Sequence, residues 1–177
     1  MADSPHLPRV TVKLLGPVIT RPLEAADREA VARILESVGN FSAREQTVAL
    51  ELIDAWLSMG EASDYLCWVL EDATRVQGYI CIGPTPLTDG TFDLYWIAVD
   101  PSAQGRGHGQ ALTRLAEDEA KARGGRLLLI ETASQETYAP TVRFYERAGY
   151  HLISTIPDFY KPGDDKLTFA KRLDRDS

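Results

Sequence analysis

Gly105, Gly107 and Gly109 alternate through the stretch "YWIAVDPSAQGRGHGQAL", with Gln104 in front and Arg106, His108 and Gln110 between or behind them. An apolar run ends at Val99, Pro101 follows, and a helical pattern starts near His108. A strand that feeds a helix through such a turn presents unpaired N–H groups at the positive end of the helix dipole. Phosphate or pyrophosphate suits those donors, and glycines leave room for its close approach. A tight turn with no ligand accounts for one glycine but poorly for three.

Two nucleotide readings fit badly. A P-loop ends in Gly-Lys-Ser/Thr, whereas Gln110 and Ala111 follow Gly109, so the lysine and the magnesium ligand are missing. A dinucleotide fold gains something from Glu131, the acid that ends the next apolar run. Its spacing is nevertheless G-x-G-x-x-G, and too few residues follow Glu131 for a second nucleotide-binding half.

The elements that must hold this loop follow from periodicity. Val31, Ile34, Leu35 and Val38 mark a helix, with Asp27 as its expected N-cap and Gly39 as its stop. "SARE" from Ser42 is a capping box, opening a second helix with Val48, Leu52, Ile53 and Trp56 on its apolar stripe. "YLCWVLE" and "VQGYICIG" read as a hairpin around "DATR", and "TFDLYWIAV" as a third strand. A helix from about His108 to Arg123 carries Ala111, Leu112, Leu115 and Ala116 on one face. "RLLLIE" has the continuous apolar character of a strand covered on both faces. A short helix from near Pro140 to Gly149 comes next. Two closing strands, "YHLISTI" and "KLTFAKRL", are joined by "KPGDD".

The result is one mixed α/β (α+β) domain centred on a parallel β–loop–α–β unit at 91–131. Residues 1–17 are expected to form an arm or early strand, 18–173 the domain, and 174–177 a tail. The length of 177 residues suits one such domain. The net charge of −7 argues against nucleic acid as the main partner. No apolar stretch is long enough to span a membrane, and the first residues lack a signal-peptide order, so a cytoplasmic location is expected. Cys67 and Cys81 form neither a disulfide framework nor a zinc pattern, and buried thiols are expected.

"IAVDPSAQGRGHGQAL" resembles the acyl-CoA loop of the GNAT superfamily of N-acetyltransferases, whose Q/R-x-x-G-x-G/A signature is matched by Gln104, Gly107 and Gly109. With "FYERAGY" and the order of elements, the resemblance covers about residues 18–173. It implies a single GNAT-like domain with a central mixed, mostly antiparallel sheet flanked by helices and a splayed parallel strand pair. It implies acetyl-CoA as co-substrate, no metal, an amine acceptor, and a homodimer as one known family arrangement. By similarity, Gln104, Gly105, Arg106, Gly107, His108, Gly109 and Gln110 hold the CoA pyrophosphate. Ile97, Ala98 and Val99 run along the pantetheine arm, beside a bulge that opens a V-shaped slot. Counting back from Tyr145 puts Thr141 at a family cofactor position. It puts Tyr138 where the family often has Asn, so that loop is expected to shape the acceptor site instead. His108 is read as an exposed loop histidine rather than a base.

Acetyl transfer to an amine requires deprotonation of an ammonium, whose pKa is about 10.4 if it is lysine-like, donors for the oxyanion, and a proton for the departing thiolate. Tyr145 in "RFYERAGY" matches the family tyrosine beside the CoA sulfur and is the candidate acid. Glu131, which ends the central strand, is the candidate base, with Asp93 a weaker competitor. Trp56, Tyr65, Tyr79, Tyr95, Trp96, Tyr138 and Tyr160 are candidates for lining a pocket, and Asp93, Glu131 and Asp158 could favour a cationic amine. The main expectation is direct N-acetyl transfer to a small-molecule amine, a protein N-terminus or a lysine. The alternative is a CoA-binding regulatory or sensor module without turnover.

Overall fold

The computed structural model describes residues 17–173. The tail, and all of the expected arm except Pro17, lie outside the described residues. Seven strands form one sheet: β1 (Ile19–Pro22), β2 (Leu66–Glu71), β3 (Val76–Pro84), β4 (Thr91–Val99), β5 (Leu127–Ala133), β6 (His151–Lys161) and β7 (Asp164–Arg172). Their order is β1-β2-β3-β4-β5-β7-β6, and only β4 and β5 pair in parallel. The helices are α1 (Arg28–Ser37), α2 (Ala43–Met59), α3 (His108–Ala122) and α4 (Ala139–Arg147).

Local chemistry explains the helix starts and stops. Ser42 caps α2 as expected: its hydroxyl accepts from Glu45 N, and the Glu45 carboxylate accepts from Ser42 N at 2.7 Å. Asp27 departs from expectation. It gives α1 no side-chain cap; its carboxylate turns back to accept from Glu24 N and from Arg21, closing a 3-10 turn at 25–27 instead. The competing guanidinium explains the diversion, because a bidentate charged pair outweighs a neutral cap. The buried stripe of α2 is Ala49, Ile53 and Trp56, while Val48 lies exposed.

β3 is covered on both faces, as is β2 up to Leu70. Val76 through Gly83 are all buried, with α1 and α3 packed against β3. A Cβ at Gly78 would sit 2.9 Å from Leu112, so glycine is what lets α3 lie this close to the sheet. The expected double cover of β5 is not found. Leu128, Ile130 and Thr132 are buried, whereas Leu127 and Leu129 are half-exposed and Glu131 is exposed. Apolar continuity misled here because the second face of β5 borders a cavity rather than a helix.

Candidate active site

The glycine loop turns on a short polar scaffold. Asp100 accepts from Ser102 N at 2.8 Å and starts a 3-10 turn, and Gln104 Nε2 donates back to Val99 O at 3.1 Å. Gly105 and Gly107 have φ of +74° and +82°, a region in which a side chain strains the backbone. Gly107 is the N-cap of α3. The first helical bond runs from Ala111 N to Gly107 O at 3.0 Å, so the amides of His108, Gly109 and Gln110 precede the helical ladder. Gly109 serves a different purpose, because a Cβ there would meet two Phe144 ring atoms at 3.3 Å. This glycine lets α4 close against the start of α3. His108 is not the exposed loop residue expected from the sequence. It is the first residue of α3 and only 8% exposed.

The strand before the loop is bent by a bulge. Cys81 pairs with Trp96 and Ile82 with Leu94, which leaves Tyr95 as the extra residue. On the other side, the parallel ladder runs from Thr91↔Leu127 to Leu94↔Ile130 and stops. Beyond that point β4 and β5 diverge, and a cavity of about 1650 Å³ occupies the gap. Ile97, Ala98 and Val99 line it from the strand, as do Gln104, Gly105, Gly107, His108, Gly109 and Gln110 from the loop. Thr141 and Tyr145 line it from α4, and Glu131 from β5. Arg106 is exposed and lies outside this lining. The structure thus brings together all but one of the side chains and backbone positions that the sequence singles out for cofactor and catalysis.

Tyr145 is 4% exposed and packs against Phe144, Tyr150 and Phe169. Burial pushes its phenol above the ordinary value, so it keeps its proton at neutral pH. Its helix is pinned from below. Lys171 Nζ donates to both Glu117 oxygens and to Ala148 O, each at 2.9 Å, and Tyr150 OH donates to Glu117 at 3.1 Å. A half-buried charged network of this kind fixes the C-terminal end of α4 and with it the Tyr145 side chain.

Two carboxylates border the other end of the cavity. Glu131 is ion-paired with Lys166 Nζ at 2.5 Å. Asp93 is half-buried and accepts from Thr85 Oγ1 at 2.6 Å. Burial raises its carboxyl above the ordinary range, the Thr85 bond opposes this, and the Glu131 charge adds to it. Of the expected pocket aromatics, Tyr95, Trp96, Tyr138 and Tyr160 line the cavity. Tyr79 is core, Trp56 donates to Leu23 O, and Tyr65 stacks edge-on against Tyr95. Asp158 lies outside the lining; it holds the β6–β7 hairpin by accepting from Gly163 N at 2.6 Å. Cys67 and Cys81 are buried and also outside it.

Sequence reasoning did not assign Asn40, Phe41, Gln135, Lys166 or Asp164 to the site and read Glu45 only as part of a helix cap, although Asn40, Phe41, Glu45, Gln135 and Asp164 line the cavity. Asp164 sits in "KPGDD", which reads as an ordinary turn. The pairing of β7 with β5, extended by the clamp of Ser134 and Gln135 on Asp165 and Asp164, brings it to the site.

This arrangement has relatives. A crystal structure of a GNAT-family protein from Desulfovibrio desulfuricans is 42% identical, with a TM-score of 0.86 over 89% of this chain and 99% of that one. The ribosomal-protein-S18-alanine N-acetyltransferase of Escherichia coli is 23% identical, with a TM-score of 0.72 over 91% and 97%. That second likeness is one of fold. A mycothiol acetyltransferase from Cellulomonas flavigena is 41% identical over 58 residues, 33% of this chain but only 16% of that protein. Residues 30–150, well over half of the chain, match the model of the acetyltransferase (GNAT) family, and the chain belongs to that family of acyl-transferring enzymes.

Proposed function

We propose that this enzyme transfers an acetyl group from acetyl-CoA directly to an amine. The observation that carries this reading is the continuity of one slot. It begins at the unpaired amides of α3, passes between the diverging ends of β4 and β5, and reaches Tyr145, Asp93 and Glu131. The residues present fit the CoA group. The amides of His108 to Gln110 suit a pyrophosphate. Nothing lies within 4 Å of a Cβ built at Gly105 or Gly107, so the approach is open. Residues Tyr95–Val99, free of β5, have a strand edge suited to an amide-bearing arm, with Thr141 on the facing helix.

Tyr145, buried and protonated, is the acid for a departing thiolate. Glu131 is the base we assign for the incoming ammonium, acting when Lys166 releases it. Asp93, whose carboxyl is made more basic by burial, is positioned to share that role. Neither cysteine reaches the cavity, which favours direct transfer over an acetylated enzyme. The N-acetyltransferase activity in the name of the Escherichia coli protein is in keeping with an amine acceptor.

The test is thiol release from acetyl-CoA across a panel of primary amines, run beside a CoA binding titration. Amine-dependent release at one thiol per acetylated amine supports the proposal. Tight binding with no release on any amine favours a CoA-binding sensor instead.

A further inference from the structure

Asp164 opens β7 immediately after the Pro162–Gly163 turn and is 3% exposed, yet it borders the cavity. One of its oxygens, Oδ2, accepts from Gln135 Nε2 at 2.5 Å. The other, Oδ1, is sealed from solvent and has no hydrogen-bond partner. Asn40, in the α1–α2 loop, contributes a second buried and unpartnered acceptor, its Oδ1, to the same cavity. Tyr138 and Tyr160 line it too, and each lies in the electrostatic reach of both Glu45 and Asp164. Burial followed by those charges pushes the Tyr138 phenol up to about 12. Tyr138 spends its own proton on Asn40 O at 2.8 Å.

This end of the cavity therefore holds two buried acceptors, Asp164 Oδ1 and Asn40 Oδ1, that no donor of the described residues meets. The cations nearby do not supply the deficit: Lys166 is held by Glu131, and Lys161, which lines the cavity and pairs with Asp164 across the β6–β7 hairpin, makes no bond to Asp164 Oδ1. A buried carboxylate oxygen without a donor is costly, and a donor brought by a ligand removes the cost. An anionic or purely apolar group would leave the oxygen unpaired. An ammonium or guanidinium satisfies it with charge-assisted bonds, and the rings of Tyr138 and Tyr160 in the same lining suit the same charge.

We propose that the acceptor bears a second cationic group, distinct from the amine that reacts, and that this group docks at the Asp164 carboxylate beside Tyr138 and Tyr160, reaching Oδ1 by shifting the side chains that seal it. The inference rests on the amine-acetyltransferase reading above and narrows it to dicationic acceptors. Both a free diamine and a peptide with a basic side chain have this chemistry.

Two matched pairs separate the sources: n-butylamine against 1,4-diaminobutane, and alanyl-leucine amide against alanyl-arginine amide. For wild type, kcat/KM is expected to favour the dication about 10- to 100-fold in at least one pair, the range of a charge-assisted bond. In Asp164→Asn the ratio of dication to monocation is expected to fall towards one, mainly through KM. CoA affinity reports whether the variant is folded, and if it is not, the wild-type preference decides alone. Calorimetric titration of the same four compounds reads the subsite without turnover. Dication-selective binding with no acetylation of any compound would sink the acetyltransferase reading and keep the cation subsite. Equal kcat/KM and equal affinity within both pairs, or a preference that survives in a folded Asp164→Asn, overturns the inference.

Discussion

Leu94 and Ile130 are the last residues at which β4 and β5 pair, and the next residue of β4, Tyr95, is the bulge that turns the strand away. That single break in a ladder creates the slot. A bulge adds local twist and ends pairing, so the two strands separate towards the glycine loop instead of continuing side by side. The positions assigned to phosphate, arm and acid lie along the opening in that order.

Gly107 is held by its backbone and not by crowding, with φ of +82° and no atom within 4 Å of a built Cβ. Gly107→Val should therefore leave the fold intact at a cost of about 1–2 kcal/mol while lowering CoA affinity at least tenfold. Circular dichroism and a CoA titration on the same sample check both halves. Unchanged affinity contradicts the loop assignment.

Gly109 is a packing glycine, in contact distance of Phe144 were it any larger. Gly109→Ala should destabilise by about 1 kcal/mol through overpacking. Most of that loss should be recovered in a Phe144→Leu background, a favourable coupling of about 0.5 kcal/mol or more. Urea unfolding of the four proteins in the cycle measures it, and simple additivity of the two changes speaks against the contact.

Tyr145→Phe keeps the ring contacts with Tyr150 and Phe169 and removes the proton. Turnover is expected to fall by about 10²-fold with CoA affinity within twofold of wild type. Steady-state kinetics and a binding titration separate the two quantities. An undiminished kcat removes Tyr145 as the acid.

Asp93 links the site to stability. Burial raises its carboxyl in the folded chain above the ordinary value of 3.8, so the folded state holds this proton more readily than the unfolded state. Ionisation of Asp93 therefore weakens folding as pH rises through 3.8, is fully unfavourable above the raised value, and has no effect well below 3.8. Asp93→Asn should compare more favourably with wild type at pH 7 than at pH 3. Unfolding free energies at the two pH values give the comparison, and a shift of the opposite sign refutes the assigned environment.

Much of this was legible in the sequence because local rules and the site coincide. The capping box at Ser42, the hairpin turn at Asp72 and the glycine stops are short-range features, and the structure keeps them. The turn from Gln104 to Gln110 was equally readable as a turn, since its positive-φ glycines and the start of α3 follow one another in sequence. What escaped depends on distant partners. Asp27 is drawn from its cap by Arg21, β5 owes its open face to the slot, and His108 is covered by tertiary packing. Asp164 is the clearest case: its burial comes from a hairpin clamped by residues about thirty positions earlier, and periodicity carries no trace of that.

A crystal structure with CoA and a bound amine locates cofactor and acceptor in one measurement. The pyrophosphate is expected on the amides of His108, Gly109 and Gln110. The arm is expected along Tyr95–Val99, with the sulfur within hydrogen-bond reach of the Tyr145 hydroxyl. A cofactor bound outside the β4–β5 slot, or a sulfur remote from Tyr145, contradicts this placement.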